Sequence, residues 1–259
     1  MKYVLIIFFT GFLAIRALGQ QSLDIGISGA AGTYFGDMNQ IDLGRSIHPE
    51  YGGFVRFNFN PRVGFRFNVM NGTMGAEGKY NFSRWQFSKN VFDVSLNFEF
   101  NFLPYVVGEK STPWSTYIFG GIGIQMYNYT MDSVKLADFA KVDPTYFNHS
   151  SPGGSVVSPT VPFGLGVKVN LSKRWGLGIE GSMRKTFSDK LDDLDDPLSY
   201  TNSDGVLIKY TDQFHNNDWT AYLGIHLVYK LIYGNKEWEL RTPRKKMIDW
   251  GIENGMRKE

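Results

Sequence analysis

Apolar and polar residues alternate with a period of two through much of this chain, the spacing of strands whose two faces meet different surroundings. In one stretch Phe92, Val94, Leu96, Phe98, Phe100 and Phe102 alternate with Asp93, Ser95, Asn97, Glu99 and Asn101. An amphipathic helix, with its 3.6-residue period, does not produce such a series. The pattern returns in residues 161–171 and 219–231, and shorter versions run through 23–31, 51–59, 63–69 and 175–183. Residues 114–129 are apolar on both parities, so their facing does not follow from the pattern. Eight strands result.

The connections between these strands alternate in length. Residues 60–61, 103–113 and 172–173 are the short set; 32–50, 71–90, 130–158 and 187–218 are the long set. Short turns on one side and long loops on the other are characteristic of antiparallel outer-membrane barrels, with the turns and both termini in the periplasm. A soluble lipocalin-like barrel also alternates, but it turns its apolar face inward. Here the polar parity carries Arg56, Arg66, Asp93, Glu99, Lys168, Glu180 and Arg184, as a hydrated lumen requires. The expected fold is therefore an all-β, eight-stranded antiparallel transmembrane β-barrel. Eight strands enclose only side-chain width, so Arg56, Arg66, Asp93, Glu99, Lys168 and Glu180 are expected to plug the lumen as a network of near-balanced sign. A porin is not expected.

Composition agrees with a lipid-facing barrel: 16% of residues are aromatic, including 21 Phe and 14 Tyr, and 29 are Gly. The formal net charge of +2 gives no reason to expect nucleic acid. At the N-terminus Lys2 precedes an apolar run over residues 3–15, and Ala17, Leu18 and Gly19 supply a cleavage site. Residues 1–19 thus read as a signal peptide. The run ends at Arg16 after about a dozen residues, short of the roughly 20 a single-pass anchor needs. With no cysteine in the chain, lipidation at cysteine, disulfides and thiol chemistry are excluded. The barrel is expected over 20–234, with a basic periplasmic tail over 235–259.

Candidate chemistry is sparse. His48, His149 and His215 fall in expected loops and His226 on the lumen parity, with no metal-ligand spacing among them. Asp212, His215 and Ser203 supply the residue types of a lipid-modifying site, but nothing in their spacing favours one. Asp189, Asp192, Asp193, Asp195 and Asp196 form an acidic stretch without the EF-hand pattern, read as a solvated loop. No cofactor, metal or small-molecule substrate is expected. Gly224, Leu227 and Tyr229 in the last strand resemble the spacing that barrel-assembly machinery reads.

Three segments resemble a family of small outer-membrane barrels of the Bacteroidota, the PorG-like barrels. They are Gly32-Thr33-Tyr34-Phe35-Gly36-Asp37-Met38-Asn39, the hairpin formed by residues 162–168 and 175–180, and Thr186-Phe187-Ser188-Asp189-Lys190-Leu191-Asp192-Asp193. Lys190 stands where the family commonly has tyrosine. The resemblance implies a non-enzymatic component of the type IX secretion system, which in some species also supports gliding, docked to a periplasmic ring of a lipoprotein and an associated soluble protein. A structural or adhesive barrel unrelated to secretion is the second expectation, and a lipid-modifying enzyme the third.

The tail is the expected docking element. Arg241, Arg244, Lys245 and Lys246 cluster around Pro243, with Trp238 and Trp250 on either side. Buried aromatic and arginine anchors dominate binding energy at protein interfaces. The other reading lays these basic residues on anionic headgroups of the outer-membrane lipid.

Overall fold

Each long alternating segment becomes a strand, and the strands close on themselves. The computed structural model describes residues 22–35, 42–80, 83–130, 154–188, 190–193, 198–201, 207–210 and 218–232. The barrel strands are β1 (Ser22–Phe35), β2 (His48–Asn58), β3 (Val63–Tyr80), β4 (Ser83–Asn101), β5 (Trp114–Tyr129), β6 (Gly154–Asn170), β7 (Trp175–Thr186) and β10 (Trp219–Ile232). A one-turn helix, α1 (Leu43–Ser46), precedes β2, and β8 (Leu198–Thr201) pairs with β9 (Leu207–Tyr210) in a separate hairpin. Each barrel strand pairs antiparallel with its neighbours, and β1 meets β10 from Leu23↔Ile232 to Phe35↔Trp219. Closure leaves the barrel no unpaired edge.

The two parities face different solvents. On β4 and the residue that follows it, Phe92, Leu96, Phe98 and Phe102 are exposed while Asp93, Ser95, Asn97 and Glu99 are buried. β5 resolves in the same sense, with Ile118, Ile122 and Ile124 outward and Tyr117, Phe119 and Gln125 inward. Carbon outside and charge inside is stable only in a bilayer, so the barrel spans one, in the manner of outer-membrane proteins. From Phe92 to Phe102 the apolar face of β4 rises about 25 Å along the membrane normal, at ~3.4 Å per residue and a tilt of ~40°. That matches the hydrocarbon thickness. Aromatic residues ring the periplasmic end: Trp175 stacks edge-on against Tyr229 at 4.9 Å, and Phe65 against Phe98 at 5.5 Å. At the outer end Phe163 meets Trp219 at 6.1 Å, with the Lys185 ammonium 4.8 Å from the Trp219 ring.

The expected loop over 71–90 is strand instead. The β3–β4 ladder continues unbroken from Val63↔Phe100 to Tyr80↔Ser83, well above the apolar belt. Its sequence hides this because the alternation inverts at the membrane surface. Below it, Phe65, Phe67 and Val69 face lipid and Arg66 and Asn68 face the lumen; above it, Met74, Ala76 and Phe87 face inward. Outside the bilayer the outward face meets water, and polar residues take it. Residues 42–46, with α1, are pinned against this projecting hairpin: the Asp42 side chain caps α1 at Gly44 N, Asp42 N donates to Glu77 O at 2.9 Å, and Arg45 pairs with Glu77 at 3.0 Å.

Candidate functional site

The lumen is filled by charged side chains from seven strands. Glu99 is the hub. Its Oε2 lies 2.9 Å from Arg56 Nε and 2.5 Å from Lys168 Nζ, and its Oε1 lies 3.0 Å from Arg66 Nε. Arg66 reaches on to Glu180 at 2.7 Å, and Glu180 also accepts the Tyr117 hydroxyl at 2.5 Å. Arg184 pairs with Asp93 at 2.9 Å nearer the outer end. Along the membrane-spanning part of the lumen Arg56, Arg66, Lys168, Arg184 and Lys230 stand against Asp24, Glu50, Asp93, Glu99 and Glu180, five of each sign. Charges taken out of bulk water are tolerated only when paired and hydrogen-bonded, so the match of signs is what allows so narrow a lumen to be filled this way.

Aromatic rings fill the gaps between ions. The Phe54 ring lies 5.0 Å from the Arg56 guanidinium and 5.4 Å from that of Arg66, and Lys168 Nζ lies 4.0 Å from the Tyr117 ring centroid. The Phe54 and His226 rings lie flat over the neighbouring strand because glycine stands opposite each in the ladder, Gly26 beside Phe54 and Gly178 beside His226. A Cβ at Gly26 would come within 2.3 Å of the Phe54 ring, and one at Gly178 within 2.0 Å of His226 Nε2. Between the Glu99 cluster and the Arg184 pair remains a cavity of about 40 Å³, bordered by Glu50, Asn97, Glu180 and His226. That is room for roughly three waters.

Both mouths are plugged by the chain itself. At the outer mouth the segment after β7 turns inward, and Leu191 and Asp192 are fully buried. The Tyr34 hydroxyl lies 2.8 Å from Asp192 Oδ2 and 2.6 Å from Asp218 Oδ1, while Leu191 N donates to Asp218 Oδ2 at 3.1 Å. Lys89 Nζ donates to Asp193 Oδ1 at 2.7 Å, and Asp193 sits in the left-handed region at φ 64. At the periplasmic mouth the turn over 103–113 folds upward, so that Tyr105 and Val107 pack with Phe54 and Val228. Burial raises the pKa of the Tyr105 hydroxyl above the usual tyrosine range. Asn170 holds the turn: its Nδ2 donates to Val106 O at 3.0 Å and Glu109 O at 2.9 Å, and its Oδ1 accepts from Gly108 N at 3.0 Å. Lys230 Nζ donates to Val107 O at 3.1 Å.

The profile of a family described only as a domain of unknown function, DUF6089, matches residues 2–237. The chain belongs to this DUF6089 family. No curated protein matches its sequence. Among solved structures it is similar to Neisserial surface protein A, at 8% identity over 81% of this chain and 97% of that one, with a TM-score of 0.45. OprG from Pseudomonas aeruginosa is similar at 12% identity, covering 83% of this chain and 98% of that one, with a TM-score of 0.44. Ail of Yersinia pestis, in complex with the heparin analogue sucrose octasulfate, aligns at 13% identity over 82% and 99%, with a TM-score of 0.40.

In this DUF6089 barrel the residues singled out from sequence fall into two groups. Arg56, Arg66, Asp93, Glu99, Lys168 and Glu180 all face the lumen, and five of the six meet around Glu99, with Asp93 set apart on Arg184. Trp238, Arg241, Arg244, Lys245, Lys246 and Trp250 lie outside the described residues, as do Ser203, Asp212 and His215. Of the acidic stretch, Asp192 and Asp193 are not a solvated cluster but hydrogen-bond acceptors of the outer plug. Among the described residues no three histidine or carboxylate side chains are grouped to hold a metal. Sequence reading missed the two plugs, since a strand pattern carries no signal for a turn that folds into its own barrel. It also passed over Asp24, Glu50 and Lys230, although all three lie on the lumen parity of their strands.

Proposed function

We propose that this protein is a non-enzymatic outer-membrane anchor of the type IX protein secretion machinery, docking a periplasmic ring of lipoprotein and partner through its basic tail. The observation that carries the reading is closure at three levels. Among the described residues, Leu191 and Asp192 fill the outer mouth, the Glu99 network fills the middle and Tyr105 and Val107 fill the periplasmic mouth. A barrel that conducts nothing acts through its surfaces, and β10 ends at Ile232 at the periplasmic mouth, with residues 233–259 following it in the sequence. The resemblance of the Tyr34 and Thr186–Asp193 segments to the secretion-linked barrels supplies the partner. Truncation after Gly234 is expected to leave the barrel inserted while abolishing co-purification with the ring proteins and lowering surface delivery of secreted substrates severalfold. Normal secretion by the truncated protein, with its partners still retrieved, overturns the proposal. The adhesive reading has the projecting β3–β4 hairpin in its favour, and loss of surface attachment on deleting residues 73–88, with secretion intact, would establish it instead.

A further inference from the structure

Large side chains cover much of the lipid face, and among the described residues a depression lies on each side of Tyr51 in the outer half of the belt. The first, of about 580 Å³, lies over Gly29 and Ala31 of β1, between Pro49 and the β7–β10 residues Ile179, Leu223 and Ile225. The second, of about 400 Å³, lies over Gly53, between Tyr51, Val55, Phe67 and Val69. Both are walled almost wholly by carbon. Tyr51, 65% exposed, stands as a ridge between them, opposite Gly29 in the β1–β2 ladder.

A hydrogen-bond chain ends on that ridge. Asn90 Nδ2 donates to Asn71 Oδ1 at 3.1 Å, and Asn71 Nδ2 donates to the Tyr51 oxygen at 3.3 Å. The chain is directed: every link gives its proton toward Tyr51, whose own O–H is then left to donate outward. These three polar side chains face outward where the apolar belt ends, the depth at which lipid headgroups begin. An O–H there, with an apolar groove on either side below it, asks for an acceptor oxygen carrying two hydrocarbon chains.

We infer that Tyr51 and its two flanking grooves form a binding site for one diacyl lipid of the outer leaflet. An ester or amide carbonyl of the lipid accepts the Tyr51 hydroxyl, and the acyl chains lie in the grooves over Gly29 and Gly53. A second copy of the barrel is the competing occupant, and it is read out below as protein–protein adducts.

The geometry supplies a clean test. A Cβ at Gly29 meets nothing within 4 Å, so Gly29→Phe fills the first groove without disturbing the barrel. Gly120 on β5 is equally open and lies across the barrel, so Gly120→Phe is the control. The full chain is placed in nanodiscs containing a photoreactive diacyl phosphatidylethanolamine, and the adducts are mapped by mass spectrometry. In the wild type, adducts are expected on β1 and β2 around Tyr51 at fivefold or more over those on β5. Gly29→Phe should cut the β1–β2 adducts at least fivefold, Tyr51→Phe at least threefold, and Gly120→Phe not at all. Adducts spread evenly around the wild-type barrel overturn the proposal, as does a Tyr51→Phe barrel with wild-type adducts. Protein–protein adducts between copies at these positions overturn it in favour of a self-interface.

Discussion

Three cations converge on Glu99, so removing its carboxylate leaves Arg56, Arg66 and Lys168 facing one another, with Glu180, which pairs with Arg66, as the remaining carboxylate of the cluster. Breaking a buried ion network by deleting one partner costs about 3–5 kcal/mol, well above the usual effect of a point substitution. Glu99→Ala is therefore expected to destabilise the barrel by about that much, read as a lower urea midpoint for loss of the heat-modifiable folded band. A change under about 1 kcal/mol would mean that water, not Glu99, balances these cations. The identity of the hub was partly legible: Glu99 lies in the cleanest alternating run, so its inward facing followed from parity. Its partners did not, because Arg56, Arg66 and Lys168 sit on three other strands whose stagger only barrel closure sets.

At the scale of elements, both plugs are strand connections held by a few polar side chains, and each has a weak point. Tyr34→Phe removes the hydroxyl between Asp192 and Asp218 without changing the ring's packing on Phe87. Hydrogen bonds to charged groups contribute about 1.5–3 kcal/mol, so amide exchange over residues 187–193 should quicken by roughly tenfold or more while the barrel strands keep their protection. Asn170→Ala plays the same part at the other mouth, where one side chain satisfies two carbonyls and an N–H of the turn. The Gly108 amide should then exchange faster, with no change in barrel insertion. Wild-type exchange at both places would show that packing of Leu191, Tyr105 and Val107 holds the plugs unaided. Phase inversion along β3 belongs to this scale as well. The same parity that is apolar below Val69 is polar at Thr73 and Glu77, which makes a continuous strand read as a loop.

For the whole molecule the consequence is electrical silence. Reconstituted in planar bilayers, the wild-type barrel should show no stable single-channel conductance of porin size. Replacing residues 104–111 by a short Gly-Ser link should not open it, because the ion pairs centred on Glu99, Glu180 and Asp93 involve no residue of the periplasmic plug. A steady ohmic channel from either protein would contradict the closed lumen and with it the argument that function lies on the surfaces.

The sequence by itself determined the number of barrel strands, their order in the chain, the side of the membrane on which each connection lies and, for every strand but β5, the face turned to lipid; β5, apolar on both parities, was resolved only by the structure. These follow from local rules: a period of two distinguishes strand from helix, a bilayer demands carbon on one parity, and connection length separates the two sides. Tertiary structure alone decided which lumen charges meet, how the turn over 103–113 and the segment ending at Asp193 fold into the mouths, and where β3 and β4 end. Those depend on closure of β1 onto β10, which brings Tyr34 to Asp218 across 184 residues of chain, a proximity no local pattern encodes.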